Sequence, residues 1–411
     1  GKCPECGSWS SFVEEVQSSL KPQNISPQGI VNDTKPSLIN DIHIGEEVRI
    51  STNISEFDRI LGGGLVKGSL ILIAGDPGIG KSTILLQTSG ELAKSGQKIL
   101  YVSAEESASQ LKLRANRLGV NSDNLYVYPQ TNLESIRKQI EELNPDMIVI
   151  DSIQAIYSQT ITSSAGSVSQ IRECCNILMQ IAKTRNITTI VIGHVTKDGN
   201  IAGPKILEHM VDTVISFEGD KYKSYRMLRS MKNRFGNTSE VGIFEMQAKG
   251  LVEVKNPNEL FLNERSQDAI PGSAIIVTNE GTRPLLVEIQ ALVGTTPYPT
   301  PRRVTNGVDN SRLLQILAVL EKRVGLNLSK QDVYINVMGG IEIDEPSADL
   351  GIALAIATCA RDVVVDSQTV IIGEIGLSGE IHPVNNIEKR LNEAVTSGFK
   401  KAIIPYANRS A

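Results

Sequence analysis

The sequence predicts an α/β protein: a mostly parallel sheet with helices on both faces, followed by a second α/β (α+β) region. Three observations predict it. Apolar, strand-like runs at 69–74, 98–103, 125–128, 146–151 and 187–193 alternate with helical stretches, the pattern of parallel strands joined by crossover helices. The first run leads into Gly75-Asp76-Pro77-Gly78-Ile79-Gly80-Lys81-Ser82-Thr83, the G-x-x-x-x-G-K-[ST] phosphate loop, with a helical segment from Ser82 through Ala93 behind it. The fourth run ends in an acid, Asp151.

The elements follow in chain order. Cys3-Pro4-Glu5-Cys6 forms one C-x-x-C knuckle, and no second knuckle or His pair follows nearby. A structural zinc site needs four ligands. Residues 1–16, which open on Gly rather than Met, therefore read as a partial remnant of a four-Cys zinc module. Zn²⁺ is expected in an intact full-length protein and not as a stable ion on Cys3 and Cys6 alone. Residues 17–43 are rich in Ser, Pro, Asn and Gln and read as a flexible linker. The first α/β domain spans 44–255, closing with β-rich runs at 212–218, 224–231 and 241–247. Residues 256–268 read as a linker and 269–411 as the second domain.

Composition bounds the function. Hydrophobic content of 40% and charged content of 21% in 411 residues describe an ordinary globular chain of two or three domains. A net charge of −5 excludes a general polyanion binder, so any nucleic-acid contact must come from a local basic surface or a ring lumen. Aromatics at 4% with one Trp argue against a surface of base-stacking rings. No run of 18 apolar residues is present, so no membrane span is expected, and no signal peptide is read. Five cysteines suit a reducing cytosol, and a cytoplasmic location is expected.

The chemistry sits at strand ends. Gly75, Gly78 and Gly80 let the backbone curl so that N–H groups point at phosphate oxygens, and the helix N-terminus adds its positive end. Lys81 reaches the β- and γ-phosphates, and the Ser82 hydroxyl can ligate Mg²⁺. Pro145 through Asp151 is a Walker B-like strand whose terminal Asp151 would hold Mg²⁺ directly or through water. Tyr101-Val102-Ser103-Ala104-Glu105-Glu106-Ser107 places two carboxylates at the ligand-binding edge of the sheet. Glu105 is the candidate that orients the attacking water, with Glu106 in support. The plain alternative is that one or both acids begin the next helix. In Lys232-Asn233-Arg234-Phe235-Gly236, Lys232 and Arg234 are two apart on an extended segment and point the same way. Such a pair could reach a neighbouring subunit's γ-phosphate, or could belong to a solvated basic strand with Lys221, Lys223, Arg226 and Arg229.

The run from Phe57 to Ser69 (FDRILGGGLVKGS), the VSAEES segment, KNRFG and the zinc-knuckle start together resemble the bacterial RadA/Sms family of DNA-repair proteins over nearly the whole chain. The resemblance implies a RecA-like P-loop ATPase with ATP, ADP and Mg²⁺ at sites between the subunits of a homo-hexameric ring. It implies binding of single-stranded and branched DNA and branch migration alongside RecA, in the nucleoid. KNRFG is similar to a motif of DnaB-type replicative helicases; the replicative helicase or other repair factors are further candidate partners. Under this resemblance Lys232 and Arg234 act in trans on ATP. The lumen-facing DNA loops would be Ser158 to Ser169 and Thr196 to Glu208, the second carrying Lys197 and Lys205. His194, at the end of the preceding strand, would sense the γ-phosphate; otherwise it is a strand-end hydrogen-bonding residue.

The C-terminal region resembles the proteolytic domain of Lon, through Gly339 to Asp349 and Gly373 to Val384. Ser347 stands where that family's nucleophile would be. The motif places Glu388 at the position of the partner Lys, and the adjacent Lys389 is rotated by about 100° around the helix. A carboxylate cannot replace the desolvated amine, so a protease fold kept as a Lon-like scaffold is expected, with Arg302, Arg303 and Arg312 as candidate DNA contacts. Cys174, Cys175 and Cys359 read as core residues. Two other functions remain open: an ATP-gated module that assembles on DNA without unwinding it, and an ATP-dependent protease, which Glu388 weakens.

Overall fold

The computed structural model describes residues 49–194, 206–219, 225–262 and 269–410. Cys3, Cys6, the 17–43 stretch, Lys197 and Lys205 lie outside the described residues. All the described residues belong to the unit Glu47–Ala411.

The phosphate loop is approached through β1 (Arg49–Ile50), α1 (Ser55–Leu61) and β2 (Leu65–Val66), with β1 and β2 paired antiparallel. Then β3 (Leu70–Gly75), β4 (Ile99–Ser103), β5 (Leu125–Pro129), β6 (Met147–Asp151) and β7 (Thr188–His194) alternate with α2 (Lys81–Lys94), α3 (Ala108–Arg117), α4 (Leu133–Leu143) and α5 (Val168–Arg185). After α6 (Ile206–Met210) come β8 (Thr213–Glu218), β9 (Tyr225–Asn233), β10 (Val241–Gln247) and β11 (Gly250–Glu253). They form one sheet in the order β11-β10-β9-β8-β3-β7-β6-β4-β5. Pairing is parallel from β8 to β5 and antiparallel from β8 to β11. The runs of β3, β4, β6 and β7 are buried on both faces, so no polar alternation is needed, whereas the edge strand β5 is half-buried or exposed. Alternate residues feed separate cores. Ile71, Ile73, Tyr101, Val149 and Ile190 enter one; Leu70, Leu72, Leu100, Ile148 and Val191 enter the other.

The second sheet has the order β14-β15-β13-β12-β16-β19. Its strands are β12 (Ser273–Glu280), β13 (Arg283–Thr295), β14 (Arg303–Asn306), β15 (Gln331–Val337), β16 (Thr369–Ile371) and β19 (Lys401–Ile403). The hairpin β17 (Glu374–Ile375) and β18 (Ile381–His382) stands apart from it. Helices α8 (Asn310–Val319), α9 (Asp349–Arg361) and α10 (Ile387–Thr396) complete the domain.

The expected linker 256–268 needs correction at its start. It opens with α7 (Pro257–Leu262), where Pro occupies the first helical turn that tolerates its missing N–H. Buried Asn258 accepts from the Leu286 backbone N–H at 2.9 Å and donates to Ser397 Oγ at 3.2 Å, tying α7 to β13 and the end of α10.

The two domains are joined through the turn between β12 and β13. Arg229 donates to Glu280 at 2.7 Å, Arg283 to Glu56 at 2.9 Å, and the Thr282 N–H to the Ser239 carbonyl at 2.9 Å. Gly281 is required there, since a Cβ would lie 1.6 Å from the Ser239 oxygen. A similar approach fixes α9 on the second sheet: a Cβ on Gly351 would lie 2.1 Å from Ile276 Cγ2. Gly351→Ala is therefore expected to destabilise the chain by about 1–3 kcal/mol through overpacking. Denaturant unfolding of the two chains measures this, and equal midpoints would contradict the close approach of α9.

Candidate nucleotide-binding site

Gly75 ends β3 and the loop 76–80 delivers the chain to α2 at Lys81. Gly78 and Gly80 have φ of 79° and 125°, which Gly adopts without strain. Lys81 is buried, and its Nζ donates to the carbonyls of Gly75 (2.7 Å) and Asp76 (2.8 Å). Burial lowers its pKa, opposed by the charges of Asp151, Asp76 and Glu105. The loop is also held from outside. Arg226 of β9 is 5% exposed and donates to the Ile79 carbonyl at 3.3 Å. It is thus no part of a solvated basic strand, because its side chain turns inward against the loop.

Two carboxylates meet this loop from neighbouring strand ends. Asp151 at the tip of β6 accepts from the buried Tyr101 hydroxyl at 2.8 Å, and burial with this carboxylate pushes the tyrosine pKa well up. Glu105 accepts at one oxygen, Oε1, from Ser152 Oγ at 2.5 Å, with His194 Nε2 at 3.3 Å from the same atom. Burial raises the Glu105 pKa, but these bonds and the Lys81 charge outweigh it and hold the carboxyl below its usual value. His194 ends β7 directly beside Gly75 in the sheet register. Ser152, Tyr101 and Arg226 were not singled out from sequence. The first two had one available signal, a hydroxyl residue next to or one strand away from the terminal acid.

Glu106 is corrected by the structure. It pairs with Arg114 of α3, and its backbone N–H donates to Ser103 Oγ at 3.1 Å. Ser107 then caps α3 in a capping box with Gln110. Glu106 thus belongs to the helix start and does not share the environment of Glu105.

The donor set of Ser82 and Asp151 suits Mg²⁺, which takes hard oxygen ligands and draws most of its shell from phosphates and water. Among the described residues no three His, Cys, Asp or Glu side chains converge to hold a metal by themselves.

With this geometry in place, comparison with known proteins is decisive. A family described as AAA domain matches residues 46–200, and one described as subunit ChlI of Mg-chelatase matches residues 305–408. The DNA repair protein RadA of Bacillus subtilis is 52% identical over 410 residues, covering 99% of this chain and 89% of that protein. The DNA repair protein RadA of Listeria monocytogenes is 51% identical over 409 residues, with the same shares covered. The chain belongs to the RadA family of DNA repair proteins. A KaiC-like protein from Pyrococcus horikoshii is similar at a TM-score of 0.43 and 23% identity, over 50% of this chain and 98% of that one.

The first domain of this RadA-family chain is accordingly a P-loop ATPase core of α/β class. Its KNRFG segment lies at the opposite edge of the sheet from the phosphate loop. Arg234 meets buried Asp212 at 3.3 Å, and Asp212 also accepts from Lys183 at 2.7 Å and from the Leu70 N–H at 3.0 Å. Leu70 begins β3 and Gly75 ends it, a span of roughly 16 Å at strand spacing. Lys232 Nζ donates to the carbonyls of Glu208 (2.7 Å), Val211 (2.8 Å) and His209 (3.3 Å), where α6 ends. The glycine run packs on this motif: a Cβ on Gly62 would lie 3.1 Å from Gly236 Cα, and Arg49 donates to both Leu61 (3.3 Å) and Phe235 carbonyls.

The segment from Ser158 to Ser169 is stapled by buried Gln170, whose amide donates to the carbonyls of Ser158, Ile161 and Ser163 at 2.9–3.0 Å. Arg302 stacks on Tyr298 at 3.9 Å, whereas Arg303 donates to the Leu328 carbonyl at 2.8 Å and Arg312 to buried Asp349 at 2.7 Å. Arg303 and Arg312 are thus engaged within the domain. Cys174 and Cys175 are buried in α5, where loss of hydration pushes both thiols up to about 12. Cys359 is half-buried and accepts from the Val293 N–H at 3.2 Å.

The helix position facing Ser347 is Arg390, which corrects the assignment to Glu388. Ser347 is 3% exposed, and the fully buried Arg390 donates to its Oγ at 3.2 Å and to the Val277 carbonyl at 2.6 Å, while pairing with Glu345. Glu388 and Lys389 are exposed. Two residues along the helix from Glu388 lies the inward face, a phase that the amphipathic pattern of Ile387, Arg390 and Ala394 fixes. A guanidinium is always protonated and cannot serve as a base. Arg390→Ala is expected to cost about 3–5 kcal/mol, because it leaves Glu345 without its buried partner. Glu388→Ala should stay within about 0.5 kcal/mol of the parent. Unfolding free energies decide between them, and the reverse order would restore Glu388 to the inward face.

Proposed function

We propose that the chain is an ATP-dependent DNA motor of recombinational repair. In this reading it binds single-stranded and branched DNA as a hexameric ring and hydrolyses ATP between subunits. It promotes branch migration alongside RecA in the bacterial cytoplasm, and the second domain is a scaffold for the ring. One observation carries the reading. Lys232 and Arg234 lie across the sheet from their own phosphate loop, so a role at phosphate must be played on a neighbour's nucleotide. Membership in the RadA family and the P-loop core support the rest.

The hydrolytic step follows from the residues present. Backbone N–H groups of the loop and the Lys81 ammonium bind the β- and γ-phosphates, once Lys81 leaves the two carbonyls it now holds. Ser82 and Asp151 would hold Mg²⁺, which supplies charge neutralisation at the phosphates when bound. Glu105 orients water for attack on the γ-phosphorus and accepts its proton as the bond to ADP breaks. Arg234 of the adjacent subunit stabilises charge on the transferring group, and His194, between Glu105 and the end of β3, reports its loss to the chain that follows.

The test is strand displacement on forked DNA with ATP and Mg²⁺, comparing the parent with Arg234→Ala. The variant is expected to lose displacement and about 10³-fold in hydrolysis while still binding single-stranded DNA. Displacement that survives in Arg234→Ala removes the trans-acting role. A parent that binds DNA and hydrolyses ATP without displacing a strand is instead a nucleotide-gated module.

A further inference from the structure

We propose that Ser152 is a positioning residue for ATP hydrolysis, its hydroxyl fixing the Glu105 carboxylate so that a single oxygen faces the attacking water. The inference rests on the reading of Glu105 as the group that takes the proton.

Ser152 is fully buried and is held by its neighbours in the chain. The Asp151 carbonyl accepts from the Ala104 N–H at 2.7 Å, and the Ile153 N–H donates to the Ile192 carbonyl at 3.0 Å. These bonds pin the Ser152 backbone between β4 and β7. A buried hydroxyl must find a partner. Here it does not turn to a backbone carbonyl but donates outward to Glu105 Oε1 at 2.5 Å. Glu105 is the more mobile member of the pair, with its side chain 48% exposed and three rotatable bonds. Without the Ser152 bond that side chain would keep more of its rotamer freedom.

His194 Nε2 lies 3.3 Å from the same oxygen, so two adjacent strand ends address Oε1 together. Among the described residues no hydrogen bond reaches Oε2. Lys81 faces the carboxylate from α2, and Asp151 and Asp76 lie around that lysine. Among the described residues the carboxylate thus has one oxygen bonded and one without a hydrogen bond, at the sheet edge where the phosphate loop begins. That is the arrangement a water-orienting group needs, and Ser152 contributes to it without touching substrate.

The experiment is steady-state ATP hydrolysis by the full chain for Ser152→Ala, Ser152→Cys, Glu105→Gln and the double variant Ser152→Ala/Glu105→Gln. Loss of orientation should lower kcat of Ser152→Ala by about 10- to 100-fold with KM for ATP changed less than about twofold. Ser152→Cys fills the same space with a poor donor and should be slow as well. The double variant should be no slower than Glu105→Gln, since Ser152 acts through that carboxylate. Ser152 variants at parent speed, a rise in KM without loss of kcat, or independent losses in the double variant would each overturn the proposal while leaving Glu105 in place. A Glu105→Gln chain at parent speed overturns the reading of Glu105, and the role of Ser152 with it.

Discussion

A carboxylate withdrawn from water must find hydrogen-bond donors or ion partners, and the two edges of the central sheet meet that constraint in opposite ways. At the edge where β3 begins, Asp212 is 1% exposed and takes the Leu70 N–H, Lys183 and Arg234. Both its oxygens are used, and the group is structural. At the edge where β3 ends, among the described residues, buried Asp151 receives one bond from Tyr101, and the half-exposed Glu105 is held at one oxygen. Lone pairs are left over there, and the phosphate loop starts beside them. The strand direction of a parallel sheet separates these roles, because every ligand-facing turn falls at the same edge.

The second domain shows the constraint fully met where its resemblance would place an active site. Arg390, Ser347, Glu345 and the Val277 carbonyl satisfy one another inside the fold. The always-protonated Arg390 that faces Ser347 cannot take its proton, and the serine is 3% exposed. The domain does carry tight attachments to the ATPase core. Arg229–Glu280 and Arg283–Glu56 flank a turn that admits no side chain at Gly281, and the Tyr225 hydroxyl donates to the Gly339 carbonyl. Tyr225 precedes Arg226, which holds the phosphate loop at Ile79. The second domain therefore contacts Tyr225, the residue next to the arginine that holds the phosphate loop.

Much of this was legible in the sequence, because the signals are local. The apolar runs end within a residue of β3, β4, β5, β6 and β7; burial on both faces leaves an unbroken hydrophobic string in all of these but the edge strand β5, which is half-buried or exposed. The loop glycines and Lys81 announce themselves by spacing. What the sequence did not reveal depends on contacts distant along the chain. The sequence left Glu106 open as a helix-start acid, and Arg114, eight residues on, claims it; nothing near Ser152 says that its hydroxyl will meet Glu105, 47 positions away. That Arg390 and neither Glu388 nor Lys389 faces Ser347 is a matter of helix phase. A motif comparison fixes position along a helix, whereas the direction of a side chain is fixed by which residues pack inward, here Ile387 and Ala394. The start of the supposed linker at 256 became helical because Asn258 satisfies a backbone N–H of β13 that lies far ahead in the chain.

The same accounting of donors separates Lys232 from Arg234, which the sequence treats as a pair. The Lys232 ammonium has three protons, and three carbonyls at the end of α6 face it at 2.7, 2.8 and 3.3 Å. An anion from outside would have to displace that set and leave the helix end bare. Among the described residues the Arg234 guanidinium has one contact, at 3.3 Å with Asp212, which leaves most of its five donors, and the side chain is 55% exposed. Asp212 also retains Lys183 and the Leu70 N–H when Arg234 moves, so the buried carboxylate is not stranded. Arg234 can leave at little expense and Lys232 cannot. Of the two cations, Arg234 is suited to meet a phosphate, and Lys232 is suited to anchor the end of α6.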